Sequence, residues 1–290
     1  MDLQSLSLHM DDQDSDKIIF RESCYDIIRD QCEFHCLCFK NPTKHQSMKD
    51  RFNQLGLNLQ IYEGVSHTDR RIVNGSDPYI QGRSGDALPA EDVGKRNISL
   101  ATQRLWSVTY GHLDMIQQFY NSGKNYGLFC EDDIVVNRTL PFNLPFIMSE
   151  CNEMQLDVCL LGYMKTYKVE GWMSGHETVQ FFPDRPYSYH RYPQDQWGVH
   201  LYMLSREGAK KVLDTYGAEN GYADKYADDL NHPFSPDWTI TKCPGLNRAL
   251  ISPLFAVEDG RDAYEHYAHD GQYKFHMDTF NFNYVPDLFI

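Results

Sequence analysis

Long hydrophobic runs are missing from this sequence. Hydrophobic residues make up 41% of the chain, yet no apolar stretch reaches the roughly 18 residues that a membrane-spanning helix needs. The opening residues, MDLQSLSLHMDDQDSDK, are acidic, whereas a secretory signal is basic and then apolar. The sequence therefore predicts a globular protein with no membrane span, and we expect a cytoplasmic location.

Basic residues are also scarce. The chain has 27 Lys and Arg against 41 Asp and Glu, which gives a formal net charge of -14. Nucleic acids are held by clustered Lys and Arg, so this composition argues against a nucleic-acid partner. A phosphorylated ligand would need local compensation. A divalent cation bound by carboxylates is one way for an acidic protein to hold a diphosphate.

The cysteines include no CxxC pair. Several lie inside apolar, strand-like segments, which is typical of buried free thiols. Cys32, His35 and Cys36 are close in sequence, but the segment EFHCLCF alternates like a strand and no second ligand cluster accompanies it. We therefore expect no zinc there. The eight cysteines are Cys24, Cys32, Cys36, Cys38, Cys130, Cys151, Cys159 and Cys243.

The apolar pattern after the first thirty residues predicts an α/β domain. Residues 33–39 read as a buried strand, and a helix follows in which Met48 and Phe52 share one face and Gly56 ends the helix. Residues 57–65 read as the next strand. This β-α-β order implies two parallel strands joined by a right-handed crossover.

The rest of the chain continues the alternation of strands and helices. Residues 66–98 predict a long irregular stretch, and a helix is expected from Ser99. Residues 156–161 predict a strand, and residues 163–196 form a loop-rich segment with many aromatic side chains. Ser205 has the position of a helix N-cap between a strand and a helix. We expect residues 1–30 to be an acidic N-terminal appendage.

Residues 127–136, GLFCEDDIVV, place three consecutive carboxylates between two apolar runs. In an extended segment alternate residues share a face, so Glu131 and Asp133 are expected to project together and Asp132 away from them. Adjacent anions repel one another, and this cost is offset if a cation binds there. Two carboxylates at a strand end suit a hard divalent ion or the ribose of a nucleotide. A solvated acidic turn is the alternative.

The order of the segments resembles glycosyltransferase family 25, the lipooligosaccharide and procollagen galactosyltransferase type. The resemblance covers most of the chain. It rests on the segments FHCLCFKNPTKHQSMKDRF, LQIYEGVSHTD, GHLDMIQQFYNSGKNYGLFCEDDIVV, DVCLLG, WGVHLYMLSREGAKKVL, SPDW and LISPLFAVEDG.

The resemblance implies an α/β fold of the GT-A type, that of nucleotide-diphospho-sugar transferases, with a mixed, mostly parallel central sheet flanked by helices. Residues 31–290 would form a single domain, in which 31–135 mainly bind the nucleotide sugar and 136–290 mainly face the acceptor. The implied enzyme is a metal-dependent hexosyltransferase. It would move galactose or glucose, with inversion, from a UDP-sugar to a hydroxyl group of a glycan or glycoprotein.

The resemblance also implies a metal site at the acidic motif, with Mn²⁺ or Mg²⁺ as the cofactor. Asp133 is the expected main metal ligand, and Glu131 is expected at a second coordination position or on the ribose. Asp132 is expected to contact the donor. His266 and His269 follow later in the chain, where either could complete the metal sphere or simply be solvated.

The sequence departs from the family pattern in two places. The family usually has an arginine cluster where this chain has Phe39, Lys40, Asn41 and Lys44, and we expect Lys40 and Asn41 to contact the donor. Gly111 and His112 occupy the position of the family's Ser-His. Because His112 falls on the apolar face of a predicted helix, we expect a packed and hydrogen-bonded histidine.

An inverting transfer needs a base to take the acceptor proton. Asp237, in HPFSPDW, matches the Asp of the family's Pro-Val-Asp and is the expected catalytic residue. Asp237 could instead cap a helix that starts at Trp238, and both roles are compatible.

The acceptor is expected to contact residues late in the chain. Glu258 and Asp259 match a polar loop of the family, while Trp197 and Tyr192 belong to an aromatic segment whose rings suit sugar faces. An aromatic-rich ordered loop without ligand is the alternative for this segment.

Two other kinds of function remain open from the sequence. One is a catalytically silent protein that keeps the GT-A fold and binds a carbohydrate or nucleotide, although its acidic motif would be expected to be broken. The other is a metal-dependent phosphoryl-transfer enzyme, which usually needs further acidic ligands on neighbouring strands. Asp157 is the candidate for such a ligand.

Overall fold

The computed structural model describes residues 14–69, 100–165, 177–216, 234–261 and 271–290. The strands in these ranges are β1 Cys32–Leu37, β2 Leu59–Tyr62, β3 Tyr126–Glu131, β4 Ile134–Val136, β5 Val158–Gly162, β6 Thr178–Phe181, β7 Ser188–Arg191, β8 Leu201–Ser205, β9 Arg248–Ser252 and β10 Ala256–Glu258. The α-helices are α1 Asp14–Gln31, α2 Pro42–Gln54, α3 Leu100–Ser122, α4 Leu140–Glu153, α5 Arg206–Tyr216 and α6 Gly271–Asn283. Most of the irregular stretch predicted over 66–98, and both His266 and His269, lie outside the described residues.

Eight strands form one mixed sheet in the order β2-β1-β3-β8-β5-β9-β7-β6. The pairs β1–β2, β1–β3 and β5–β9 are parallel, while β8 and β7 run antiparallel to their neighbours. All the other strands of this sheet therefore share one direction. The predicted α/β fold, with a mixed and mostly parallel sheet flanked by helices, is confirmed.

The first β-α-β unit follows from local signals. Pro42 stands in the first turn of α2, and the Asn41 side chain caps the helix by accepting a hydrogen bond from the Lys44 backbone N–H, at 3.1 Å. Met48 and Phe52 are fully buried on its inner face. Gly56 has a φ of 70°, the left-handed region in which glycine ends helices at little cost.

Helices cover both faces of the sheet because successive strand residues point to opposite sides. Leu128 packs into the cluster that contains Phe52 of α2 and Leu144 of α4. Its neighbour Phe129 packs on the other face, into the cluster that contains Ile116 of α3. Val212 of α5 belongs to that second cluster as well.

Residues 14–31, part of the expected N-terminal appendage, form helix α1, which contacts α4 and β1. The buried side chains Cys24 and Ile28 stand one helical turn apart on it, so a narrow stripe is enough to attach this polar helix. The eight cysteines are buried free thiols, as predicted. No helix among the described residues is long and apolar enough to cross a membrane.

A small antiparallel ribbon, β4 with β10, forms a second sheet whose strand β10 packs against β5 of the main sheet. Its register places Glu258 opposite Ile134, and the Asp259 N–H donates to the Asp133 carbonyl. The ribbon therefore brings a late segment of the chain against the acidic motif, which ends β3 at the carboxyl edge of the parallel strands.

Candidate functional site: an acidic cluster at the strand ends

The three carboxylates of the motif have different neighbours. Asp132 accepts a hydrogen bond from the Lys44 ammonium, at 2.7 Å, and so pairs with α2. Glu131 lies 3.6 Å from a ring nitrogen of His112. Asp133 accepts no side-chain hydrogen bond from the described residues. The motif is thus divided into one neutralised carboxylate and two that have little compensation.

Asp133 has the most unfavourable electrostatic surroundings of the three. Desolvation raises its pKa to about 8, and the negative charges of Glu258 and Glu131 contribute in the same direction. The ammonium of Lys44 lowers the pKa, but by less than these effects raise it. A carboxylate held among other carboxylates in this way favours the approach of a cation or a proton.

Glu258, by contrast, is compensated by two imidazoles. Its carboxylate accepts from His276 Nδ1, at 2.8 and 2.9 Å, and lies 3.1 Å from His200 Nε2. Burial raises the pKa of Glu258, but the hydrogen bonds from both histidines lower it more, so the net pKa lies well below its usual range. Burial alone lowers the pKa of His276, whereas the bond to Glu258 raises it above its usual value. These contacts fix one acid of the cluster in its ionised form.

Asp237 enters the same region from a short π-helical segment, Pro236–Ile240. One of its oxygens accepts the Gly198 backbone N–H, at 2.8 Å. Ser235 is the N-cap residue of this segment, and Asp237 lies inside its first turn. The alternative role, a cap for a helix starting at Trp238, is therefore wrong: the helical turn begins two residues earlier, and the carboxylate bonds a distant backbone group.

The second oxygen of Asp237 has no hydrogen-bond partner among the described residues. Desolvation raises the pKa of this carboxyl, and the charge of Glu131 raises it further. The Gly198 N–H, Lys242 and His200 act in the opposite direction. The combination gives a fixed carboxyl group of increased basicity with one oxygen available, which is what general-base chemistry requires.

His112 is packed and hydrogen-bonded, as predicted from its place on the apolar face of α3. It is fully buried, and its Nδ1 lies 2.8 Å from the Tyr202 hydroxyl. Its other ring nitrogen faces Glu131. His112 therefore lies beside the Glu131 carboxylate, at 3.6 Å, without a hydrogen bond to it.

The residues expected to contact the donor near α2 have other roles in the structure. The Asn41 side chain caps α2, and the exposed Lys40 has a φ of 45°, with its ammonium 5.3 Å from the centre of the Phe39 ring. Neither side chain contacts the acidic motif. Lys44, one helical turn along, is the cation that does.

The residues expected to contact the acceptor separate into exposed and buried ones. Trp197 is 37% exposed and stacks on Phe275, with ring centroids 5.8 Å apart. Tyr192 is 2% exposed, and its hydroxyl lies 2.8 Å from that of Thr241. We therefore assign Tyr192 a packing role in place of the predicted acceptor contact, because its ring offers almost no surface to a ligand. Asp259 pairs with Arg261 through two bonds of 2.6 Å.

Several members of the site escaped sequence reasoning. His200 and His276 flank Glu258 although they lie 58 and 18 residues away from it in sequence. The Gly198 N–H that holds Asp237 carries no side-chain signal at all. The sequence signal closest to these residues is the segment WGVH, which contains Gly198 and His200 and ends directly before the buried strand β8.

The side chains of the acidic cluster can be compared with the ligands that the expected metal ion would need. Within the described part of the chain, no group of three or more His, Cys, Asp or Glu side chains is arranged to hold a metal. Asp133 and Glu131 supply two carboxylates with little compensation. Magnesium-like ions are commonly held by one or two carboxylates together with substrate phosphates and water, so this donor set fits a metal shared with a diphosphate.

Comparisons with known proteins give little further information. No family model matches the chain, and no curated protein matches it. Among solved structures, the chain is similar to one assigned as a UDP-N-acetylglucosamine pyrophosphorylase from Entamoeba histolytica, at 9% identity and a TM-score of 0.31. The match covers 70% of this chain and 64% of that one. At this level of similarity the match supports no inference about function.

Proposed function

We propose that the protein is a metal-dependent glycosyltransferase that moves a hexose from a nucleotide-diphosphate sugar, UDP-linked, to a hydroxyl group of a glycan or glycoprotein. The observation that carries the proposal is the convergence of Glu131, Asp133, Asp237 and Glu258 at the carboxyl edge of the parallel strands. Ligands bind at this edge in open α/β sheets. The order of sequence segments that resembles family 25 supports the same choice.

On the donor side, Asp133 and Glu131 would hold Mn²⁺ or Mg²⁺. The bound ion would supply positive charge to the departing diphosphate. Lys44 neutralises Asp132, so the two carboxylates of the motif with the least compensation are the two that would hold the cation. Lys40 stays a candidate for contact with the diphosphate because its ammonium is exposed.

On the acceptor side, Asp237 would take the proton of the attacking hydroxyl. The acceptor oxygen forms a bond to the anomeric carbon as the bond from that carbon to the diphosphate oxygen breaks, and the nucleoside diphosphate departs. The Gly198 N–H holds one oxygen of Asp237, which leaves the other for the proton. The exposed ring of Trp197 provides an apolar face of the kind on which sugars stack.

A phosphoryl-transfer enzyme is less well supported. Asp157, the expected extra ligand, precedes β5 and so lies at the opposite edge of the sheet from the acidic motif. Both of its oxygens accept from the Lys211 ammonium, at 2.9 and 2.8 Å. It is therefore a structural carboxylate and supplies no second metal site.

The proposal can be tested with a panel of nucleotide sugars, incubated with Mn²⁺ and with or without glycan acceptors. Acceptor-dependent release of a nucleoside diphosphate, together with a glycosylated product, is expected for at least one donor. Asp133→Asn should lose this activity, and Asp184→Asn, at an exposed position, should keep it. Release of a nucleoside monophosphate would instead indicate phosphoryl transfer. Binding of the donor without any turnover would indicate a catalytically silent protein that keeps the fold.

A further inference from the structure

Two cations share one buried tyrosine ring close to Asp237. The Lys242 ammonium lies 5.6 Å from the centroid of the Tyr192 ring, and the guanidinium carbon of Arg248 lies 5.0 Å from it. The same ammonium sits 3.4 Å from the centroid of the Trp238 ring. Cation–π contacts of this kind stabilise a cation without neutralising its charge.

Neither cation has a counter-ion among the described residues. Lys242 is 6% exposed, and its buried nitrogen makes no hydrogen bond to them. Arg248 donates to the neutral side chain of Gln194, at 2.8 Å. Asp237 and Asp195 act on Lys242 through their charge, yet neither forms an ion pair with it. The positive charge of this pair therefore stays uncompensated by direct contact.

The arrangement is costly for both groups. Burial lowers the pKa of Lys242 to about 8, and the neighbouring charge of Arg248 contributes to the decrease although Asp237 raises it. Burial also lowers the pKa of Arg248. Two other cations of the chain are paired with carboxylates: Lys211 with Asp157 and Arg185 with Glu150. In a chain of net charge -14, two neighbouring cations without such a partner carry a desolvation cost that a bound anion would offset.

We propose that Lys242 and Arg248 form a binding site for an anionic group, a carboxylate or a phosphate. The assignment of this group to the acceptor rests on the proposed function, since Lys242 follows the π-helical segment that carries Asp237 and feels the charge of that carboxyl group. The Thr241 N–H to Pro236 carbonyl bond, at 3.3 Å, closes that segment. An acceptor sugar that places its hydroxyl at Asp237 would thus carry its anionic group toward Lys242, and the Arg248 guanidinium reaches the same Tyr192 ring from the first residue of β9. The substrate class is an acidic glycan.

The test is a binding measurement that needs no donor, metal or turnover. Glucuronate, inorganic phosphate and the neutral sugar glucose are titrated separately into the full chain by isothermal calorimetry. Glucuronate or phosphate is expected to bind and glucose to bind far more weakly. Arg248→Gln should weaken the anion by about tenfold or more, as expected for the loss of a charge-assisted hydrogen bond. Arg138→Gln, at an exposed position, is the matched control and should bind as the wild type does.

Lys242→Met is the second variant, since Met keeps the apolar stem against Trp238 and removes the charge. It should also weaken anion binding, with circular dichroism showing that the fold is retained. The proposal is overturned if neither anion binds more tightly than glucose, or if Arg248→Gln and Lys242→Met both bind as the wild type does. Because no sugar is transferred in this experiment, its failure leaves the proposed transferase activity standing. If the protein binds the anion but transfers no sugar, the anion site is retained, and only the statement that the anion belongs to a sugar acceptor is withdrawn.

Discussion

Two carboxylates at opposite edges of the central sheet have opposite surroundings. Asp157, at the amino edge, is 4% exposed and accepts two bonds from Lys211 and a third from the Asn247 N–H, at 2.7 Å. Asp133, at the carboxyl edge, accepts no side-chain bond from the described residues, and other carboxylates surround it. The first arrangement stabilises the fold. The second costs stability, which is typical of sites kept for function.

The largest effect that this contrast predicts is on chemistry. Asp237→Asn should lower the kcat of transfer by at least about 10², because general-base contributions are typically of order 10²- to 10⁴-fold. Affinity for donor and metal should change little, since Asn still accepts the Gly198 N–H. Steady-state kinetics and donor titration measure the two quantities separately. Near-normal transfer would exclude Asp237 as the base.

The next effect is on stability, and its sign should differ between the two edges. Asp157→Asn should lower the free energy of unfolding by about 2 kcal/mol, because it leaves the Lys211 ammonium without its charged partner. Asp133→Asn should raise the free energy of unfolding, because it removes a carboxyl group whose ionisation the fold disfavours, as its raised pKa shows. Urea denaturation of both variants at neutral pH checks the prediction. If both variants change the free energy of unfolding in the same direction, the proposed difference between the two edges is wrong.

The pair formed by His276 and Glu258 predicts a dependence on pH. The pKa of His276 is raised in the folded protein, so its stabilising contribution is complete below the unfolded pKa of about 6.5 and is lost as pH rises through the folded pKa. The destabilisation caused by His276→Gln should therefore be larger at about pH 6 than at about pH 9. Glu258 stays ionised over this range because its pKa is depressed. A pH-independent difference would argue against the ion pair.

The smallest effect concerns Lys44 and Asp132. The lysine side chain is 44% exposed, and ion pairs that face solvent contribute at most about 1 kcal/mol. Lys44→Met should thus change the free energy of unfolding by less than about 1 kcal/mol, and added salt should reduce the difference. Thermal denaturation at two ionic strengths measures both. A much larger loss would place Asp132 with the structural carboxylates.

Much of the fold could be predicted from local pattern. The strand and helix of the first β-α-β unit follow from the periodicity around Met48 and Phe52 and from the signals at Pro42 and Gly56. Ser205 was predicted as an N-cap, and its hydroxyl oxygen accepts the Gly208 N–H, at 3.0 Å. Helix α1 was missed because its buried stripe is narrow within a polar segment.

Residues of the site could be predicted only where a short continuous segment of the sequence contains them. The motif Glu131 to Asp133 and the position of Asp237 are visible in the sequence. The contacts that distinguish the carboxylates join residues far apart in the chain: Lys44 with Asp132, Gly198 with Asp237, and His200 with Glu258. Such contacts depend on sheet order and on the β4–β10 ribbon, and no local pattern encodes either. For the same reason Asn41 was assigned to a ligand although it caps α2.

The central claim is that Asp133 and Glu131 lack compensation because they hold a divalent cation with a nucleotide diphosphate. Calorimetric titration of UDP into the protein tests it directly, with Mn²⁺ and then with EDTA. The account predicts binding with Mn²⁺, little or none with EDTA, and an affinity at least about tenfold weaker for Asp133→Asn, as expected for the loss of one charged ligand. Equal UDP affinity with Mn²⁺ and with EDTA, unchanged in Asp133→Asn, would contradict it.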